Sequence, residues 1–127
     1  GLTPLARIVA SGVSGLNPEI MGLGPIEAIR QTLGRANMTI DQIDLVEINE
    51  AFACQVIGSA RHLGIDLDTQ MNIHGGAIAL GHPFGMTGAR IMTTLINGLQ
   101  FEDKTFGLES MCVGGGQGMA MIVERLS

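Results

Sequence analysis

Short apolar runs alternate along this chain with segments whose apolar positions recur at helical spacing. A run rich in Ile and Val at residues 6–13, bounded by Pro4 and by glycines, predicts a buried strand. Pro25 suits the first turn of a helix, and the apolar residues after it recur at helical spacing until near Asn37. Residues 39–44 then predict a capped turn.

The middle of the chain predicts a second strand and a second helix. Leu45–Ile48 predicts a strand that places Asn49 at its carboxyl end. The segment after it has one apolar face, and Gly64 can end the helix. That face is predicted to consist of Ala53, Val56, Ile57, Ala60 and Leu63.

The last third of the chain predicts a short strand, a long loop, a helix and two final strands. Residues 71–73 predict the short strand, which enters a glycine-studded loop that reaches Gly85. Thr87 can cap the third helix. Its inner stripe is predicted to be Ala89, Met92, Leu95, Ile96 and Leu99. Strands near 105–112 and 119–125, joined by a glycine turn, close the chain.

This order, βαβαβαββ, predicts a single α/β domain over residues 1–127, with a mixed five-stranded sheet and helices on its faces. In such sheets, ligand sites collect at the carboxyl ends of parallel strands. Asn49 and the loop that contains His82 both follow predicted strands. We therefore expect them to lie at the same edge of the sheet.

Composition excludes some classes of function. A net charge of −5 gives no electrostatic reason to bind nucleic acid, and a chain without Trp or Tyr lacks surfaces on which bases stack. No apolar run approaches the roughly 18 residues that predict a membrane span. The two cysteines form no C-x-x-C pair and fit a reducing compartment. The 19 glycines collect in a few motifs rather than in linkers, which indicates that the backbone itself is functional there.

Three segments carry residues suited to thiol chemistry on an acyl group. Residues 49–53 are NEAFA, residues 75–83 are GGAIALGHP with His82 in a turn, and residues 112–118 are CVGGGQG, which begins at Cys112. An imidazole can take a proton from a sulfur or carbon acid, and a thiol can return one. Glycines allow backbone N–H groups to approach a developing oxyanion closely.

Each of these residues also has an ordinary structural interpretation. Alone, His82 fits a surface histidine, Cys112 a small buried residue at a strand end, and Asn49 a helix cap. His62 is predicted on the solvent side of a helix. The histidines and cysteines show no recognised ligand spacing, so we expect no metal site.

Together and in this order, the three motifs resemble the carboxy-terminal half of the thiolases, which make or cleave 3-ketoacyl-coenzyme A thioesters. The sequences MGLGP at 21–25 and GMTGAR at 85–90 also fit, so the resemblance covers nearly the whole chain. The nucleophilic Cys of this family belongs to the amino-terminal half, and neither Cys54 nor Cys112 lies in its motif. The resemblance therefore implies half of an enzyme whose partner is the amino-terminal thiolase domain, as a start at Gly1 without Met also suggests.

The resemblance implies a role for each candidate. His82 would activate the nucleophilic Cys and donate from its Nε2 to the thioester oxygen. Cys112 would be the acid and base that moves the α-proton in the carbon–carbon bond step. Gly114 would contribute its N–H to the second oxyanion hole, while Asn49 would hold a water that forms the first oxyanion hole with His82.

Four further residues would support these groups. Ala51 and Phe52 would line the channel for the pantetheine arm, and Glu50 and His74 would lie just behind the reacting groups. The resemblance implies coenzyme A and acyl-CoA as substrates, no covalently bound cofactor, and a homodimer or homotetramer when the protein is full length. It also implies the cytoplasm, or an organelle matrix in a eukaryote.

Two other interpretations remain open at this point. A ketoacyl-synthase-type condensing enzyme would share the fold, but it would have His or Asn where Cys112 lies. A catalytically silent interaction module would need neither an intact Cys112 nor an intact His82, and both residues are present.

Overall fold

Four strands form one mixed sheet in the computed structural model, which describes residues 1–127. The strands are β1 (Ala6–Gly15), β2 (Leu45–Ile48), β3 (Phe106–Val113) and β4 (Gln117–Arg125). The helices are α1 (Gly24–Ala36), α2 (Ala53–Leu63), the single turn α3 (Ala77–Leu80) and α4 (Thr87–Phe101). Two 3₁₀ turns, Pro18–Leu23 and Ile40–Gln42, complete the elements.

The strand order is β1-β4-β3-β2, with β4 antiparallel to both of its neighbours and β2 parallel to β3. Ile48 at the end of β2 pairs with Ser110 of β3. The carboxyl ends of β2 and β3 therefore lie at the same edge of the sheet, where Asn49 follows β2 and Cys112 lies near the end of β3. The predicted α/β class is confirmed, and this edge is where we expected the site.

The segment at 71–73, predicted as a fifth strand, makes only one isolated parallel bridge, between Met71 and Val46. Asn72 has a φ of +48°, which ends the extended backbone. Its side chain continues the pairing instead, because its amide accepts from the Ile48 N–H and donates to the Ile48 carbonyl, both at 2.9 Å. The sheet therefore has four strands rather than the predicted five.

The predicted helix ends agree with the structure. Asn37 and Gly64 follow α1 and α2 in the left-handed conformation, with φ of +53° and +75°. The predicted inner faces agree only in part. On α2, Val56 and Ala60 are buried, but Ala53 and Ile57 are exposed.

On α4, the predicted inner residues Leu95 and Leu99 are fully buried. Ala89 is exposed, and the first apolar residue of the buried stripe is Ile91 instead. The stripe is therefore displaced at its amino-terminal end, where the helix turns Thr87 and Arg90 toward the sheet edge.

The two faces of the sheet carry separate cores. On one face, α1 and α2 cover a cluster of twelve buried apolar residues that includes Val46, Ile48 and Leu108. On the other face, α4 covers a cluster of only four, which are Leu45, Leu95, Leu99 and Val123. Successive residues of β2 alternate between the two cores, as the period of two in a strand requires.

Candidate active site

Asn49 reaches the site directly from the end of β2. Its N–H donates to the Ser110 carbonyl at 2.9 Å, which extends the pairing of β2 with β3 by one residue. Its side chain is buried, and its Nδ2 lies 3.3 Å from Nε2 and 3.4 Å from Nδ1 of His82. Helix α2 begins only at Ala53, after Phe52 as its N-cap, so Asn49 is not the cap of this helix.

Glu50 holds the loop that leads to His82. One carboxylate oxygen accepts from Nδ2 of Asn72 at 2.9 Å, and the other accepts from the N–H of Ile78 at 3.0 Å. Gly76 lies against this carboxylate so closely that a Cβ would overlap it. The position of Glu50 therefore requires glycine at 76, whereas Gly75 is required by its φ of +86°.

His82 follows Gly81, whose φ of +97° turns the loop, and its ring contacts the first residue of α4. Its Nδ1 lies 2.6 Å from Oγ1 of Thr87, a residue that is 2% exposed. The Thr87 hydroxyl also donates to the Pro83 carbonyl at 3.2 Å. Thr87 was predicted to cap the third helix, but Met86 occupies that position and Thr87 is directed to the histidine.

One cavity of about 430 Å³ brings together four of the residues singled out in the sequence. They are Ala51, His82, Cys112 and Gly114. The rest of the lining comes from Met21, Phe84, Thr87, Met111 and Val113. Motifs that lie far apart in the sequence therefore contribute to a single cavity at the sheet edge.

Cys112 lies near the end of β3, paired with Gly118 of β4. Burial raises the pKa of its thiol above the ordinary value of 9.0, so the sulfur keeps its proton near neutral pH. Gly114 is exposed in the turn that follows, where Gly115 and Gly116 have φ of +87° and +86°. The turn requires glycine at those two positions, and it leaves the Gly114 backbone open to the cavity.

Four of the predicted residues do not line this cavity: Asn49 and Glu50, whose contacts are given above, and Phe52 and His74. Phe52 is 71% exposed and does not line it, and the aromatic ring beside His82 belongs to Phe84, at a centroid distance of 5.1 Å. His74 lies near Phe101 and Glu102, at the carboxyl end of α4. Because α4 has 15 residues, it is about 22 Å long, so His74 is remote from Thr87 and His82.

Sequence reasoning missed a cluster of buried charges beneath α4. Glu47 and Glu109 are paired directly across β2 and β3, and Arg90 lies 3.7 Å from the Glu47 carboxylate. Burial raises the pKa of Glu47 to about 8, although Arg90 opposes the shift, and burial raises the pKa of Glu109 to about 7. The sequence signal that could have indicated this cluster is Glu47, an acidic residue inside an apolar strand.

Two classes of feature are not found in the structure. No group of three or more His, Cys, Asp and Glu side chains could hold a metal ion. No helix has both the length and the apolar character needed to cross a bilayer.

Comparison with known proteins gives a consistent result. The family model described as "Thiolase, C-terminal domain" matches residues 2–125. The chain is 50% identical over 127 residues to an acetyl-CoA acetyltransferase of Escherichia coli strain K12, covering 100% of this chain and 32% of that protein. It is 52% identical over 128 residues to a 3-ketoacyl-CoA thiolase of Chromohalobacter salexigens, covering 99% of this chain and 33% of that protein.

Solved structures agree with these matches. The human mitochondrial 3-ketoacyl-CoA thiolase in complex with CoA superposes with a TM-score of 0.95 at 46% identity, covering 98% of this chain and 32% of that one. The chain thus spans about a third of the length of these relatives. Because the family model covers nearly every residue and the fold agrees, the chain belongs to the thiolase family and matches its C-terminal domain.

Proposed function

We propose that this chain is the carboxy-terminal part of an acyltransferase that catalyses the reversible Claisen condensation and thiolytic cleavage of 3-ketoacyl-CoA. The observation that carries the proposal is the single cavity lined by His82, Cys112 and Gly114. Relatives named acetyl-CoA acetyltransferase and 3-ketoacyl-CoA thiolase support the substrate class, and so does a similar structure in complex with CoA.

In the direction of cleavage, His82 takes the proton of a nucleophilic Cys supplied by the amino-terminal thiolase domain. The resulting thiolate attacks the 3-keto carbon, the bond between Cα and the keto carbon breaks, and the acyl group stays on that sulfur. The electron pair of the broken bond remains on acetyl-CoA as a carbanion. Cys112 gives its proton to this carbanion, and the raised pKa of its thiol supports the donor role.

The second half of the reaction returns both protons. The Cys112 thiolate takes the proton of an incoming CoA thiol, whose sulfur attacks the acyl group on the nucleophilic Cys. The new acyl-CoA leaves, and the protonated His82 returns its proton to the nucleophilic sulfur. Each group ends in the state in which it began, as a ping-pong mechanism requires.

Oxyanion stabilisation is assigned to two groups, the Asn49 side chain beside His82 and the Gly114 N–H in the cavity wall. Asn49 Oδ1 is buried and accepts no hydrogen bond within the chain, so it is free to accept one from a water that faces the thioester oxygen beside His82. The Gly114 N–H supplies the second hole, together with the nucleophilic Cys. Preorganised donors of this kind are each worth about 10²–10³-fold in rate.

The remaining assignments follow from the same proposal. Ala51 lines the pantetheine channel, and Phe84 has the position in the cavity wall that Phe52 was predicted to have. Glu50 supports the loop, whereas His74 lies too far away to do so. Coenzyme A and acyl-CoA act as substrates, and the protein assembles as a homodimer or homotetramer. Two free cysteines fit the cytoplasm or an organelle matrix.

The base role is tested in a protein that joins this chain to an amino-terminal thiolase domain. His82→Ala should lower the rate of acetoacetyl-CoA thiolysis by at least about 10²–10⁴-fold, as expected for a lost general base. His62→Ala is the matched control, because His62 is exposed on α2 and forms a hydrogen bond with Arg30 away from the cavity. Undiminished thiolysis by His82→Ala would contradict the proposal.

The acid/base role is tested by separating the two half-reactions. In the joined protein, Cys112→Ser should abolish deuterium uptake at the methyl group of acetyl-CoA, because a hydroxyl is a far weaker acid than a thiol. Acyl transfer to the nucleophilic Cys should persist in part. Cys54→Ser, at an exposed cysteine, should change neither rate. Exchange at the wild-type rate in Cys112→Ser would return Cys112 to a structural role.

The division between the two domains gives a third test. The isolated 127-residue chain should show no thiolysis, because the nucleophile belongs to the amino-terminal domain. Adding a separately produced amino-terminal domain should restore it. Turnover by the isolated chain would show that the roles are assigned wrongly.

A further inference from the structure

We infer that Thr87 is a positioning residue that holds His82 in the tautomer with its proton on Nδ1, which leaves Nε2 free to accept a proton. The inference deepens the proposed function and rests on the base role given there to His82. Thr87 touches no reacting atom in that scheme and acts only through the imidazole.

The hydrogen count at Thr87 leads to this tautomer. A hydroxyl has one hydrogen to donate, and a carbonyl oxygen can only accept. The Thr87 hydroxyl donates to the Pro83 carbonyl at 3.2 Å, so at the 2.6 Å contact with His82 it accepts. The donor there is Nδ1–H, and a neutral imidazole then carries a lone pair on Nε2.

The surroundings keep the hydroxyl in this orientation. Thr87 is 2% exposed, and its branched side chain has few χ1 rotamers in a helix. The Pro83 carbonyl is itself held by the N–H of Met86 at 2.9 Å. Hydrogen bonds within the turn from His82 to Thr87 therefore fix the position of the Thr87 hydroxyl.

Asn49 does not select a tautomer by itself, because its Nδ2 lies 3.3 Å from Nε2 and 3.4 Å from Nδ1 of His82. The amide donor is compatible with the tautomer that Thr87 indicates, in which Nε2 carries the lone pair. The competing arrangement reverses the Asn49 amide, places the proton on Nε2 and makes Thr87 the donor to Nδ1. The two arrangements differ in one measurable property, which is the ring nitrogen that bears hydrogen.

The first experiment reads that property without substrate. Two-bond ¹H–¹⁵N correlation spectra of the ¹⁵N-labelled chain, recorded above the pH at which histidine titrates, distinguish protonated from unprotonated ring nitrogens. The His82 signals are assigned by their loss in His82→Asn. We expect protonated Nδ1 in the wild type and in Thr87→Ser, and a shift toward protonated Nε2 in Thr87→Val. A wild-type spectrum with the proton on Nε2 overturns the inference.

The second experiment measures turnover in the protein joined to an amino-terminal thiolase domain. Thr87→Val keeps the shape but removes the hydroxyl, and it should lower kcat by about 10²-fold with little change in KM, as expected for a misplaced catalytic group. Thr87→Ser should restore kcat to within a few-fold. A purely structural role would instead follow the lost methyl group and leave Thr87→Ser no better than Thr87→Val, which would also overturn the inference.

The two experiments separate this inference from the proposed function. If the tautomer is as stated and changes in Thr87→Val while kcat is unaffected, the base role of His82 is wrong and the positioning contact stands. If the wild-type tautomer is the opposite one, the positioning inference fails even where His82→Ala abolishes turnover. Should Thr87→Val not fold, the wild-type spectrum alone still decides the tautomer.

Discussion

The two faces of the sheet bury different kinds of side chain. The face under α1 and α2 encloses twelve apolar residues, whereas the face under α4 encloses four, beside the charged groups of Glu47, Glu109 and Arg90. Burying apolar area stabilises a fold by about 25 cal/mol per Å², while a buried charge is costly unless it is paired and hydrogen-bonded. The face under α1 and α2 therefore contributes most of the apolar burial that stabilises the fold. Burial of the ionisable groups under α4 lowers the free energy of unfolding.

The buried ionisable groups lie close in sequence to two residues that contact His82. Arg90 lies on α4 one turn after Thr87, and Glu47 lies two residues before Asn49 on β2. The contact between Arg90 and Glu47 thus joins the helix and the strand that carry Thr87 and lead to Asn49, the two residues that contact His82. Where α4 meets the sheet, the placement of Thr87 and Asn49 beside His82 has been favoured over the burial of apolar side chains.

The largest effect on stability should come from the apolar face. Ile122→Ala removes a fully buried side chain from the twelve-residue cluster and should lower the free energy of unfolding by about 4 kcal/mol, through lost burial and a cavity. Met119→Ala changes the opposite face of the same strand, where the side chain is 44% exposed, and should cost less than about 1 kcal/mol. Urea unfolding measures both, and equal losses would contradict the comparison.

The charged face should make stability depend on pH. Glu47 and Glu109 bind a proton more tightly when folded, with pKa values of about 8 and about 7, than at their ordinary value of 4.5. The folded chain therefore holds more protons between pH 4.5 and 8, so stability is greatest below this window and falls as pH rises through it.

Both acids contribute to the slope between about pH 4.5 and 7, so Glu47→Gln and Glu109→Gln should each remove about half of it there. Only Glu47→Gln should remove the slope between about pH 7 and 8. Glu27→Gln, at an exposed position of α1, should leave the slope unchanged. Unfolding free energies measured from pH 4.5 to 8.5 test the three variants. A stability that rises with pH in the wild type would mean that both acids are ionised in the folded chain.

At the edge of the sheet, Asn72→Ala should cost about 2 kcal/mol, because it leaves the N–H and carbonyl of Ile48 without their partner. Asn37→Ala is a matched control: Asn37 also has a positive φ, but its exposed side chain is not part of such a ladder. Denaturation of both variants separates backbone strain from the lost hydrogen bonds. An equal loss in the two would show that strain accounts for the whole effect.

The smallest effect on stability, within about 1 kcal/mol, should come from Gly76→Ala, which changes a loop rather than a core. The new Cβ would displace the Glu50 carboxylate and release its bond to Ile78, so thiolysis by the joined protein should fall while the fold persists. Gly85→Ala in the same loop meets no atom within 4 Å and should leave activity intact. Similar rates for the two variants would argue against the role of Glu50.

Local chemistry was sufficient for much of what the sequence predicts. The ends of α1 and α2 depend on Asn37 and Gly64, whose left-handed conformation and intrahelical bonds involve only neighbouring residues. The placement of Asn49 at a sheet edge follows from an apolar strand directly before it. The three motifs together indicated the family, because each of them lies within one continuous segment of the sequence.

Tertiary structure decided the features that join residues far apart in the chain. The fifth strand is reduced to one bridge because the Asn72 side chain pairs with Ile48, a contact across 24 positions. Threonine is a residue type that commonly caps helices, and only the folded loop directs the Thr87 hydroxyl to His82. Phe84 rather than Phe52 lines the cavity for the same reason.

The buried ionisable groups show most clearly what a sequence alone does not predict. Glu47 is visible in the sequence as an acid in an apolar strand, but its pKa depends on burial, then on Arg90 and Glu109, which other elements bring beside it. Periodicity and caps are short-range properties, so a sequence alone specifies them. Desolvation and Coulomb interactions depend on distances in space, which are set only when β2, β3 and α4 pack together.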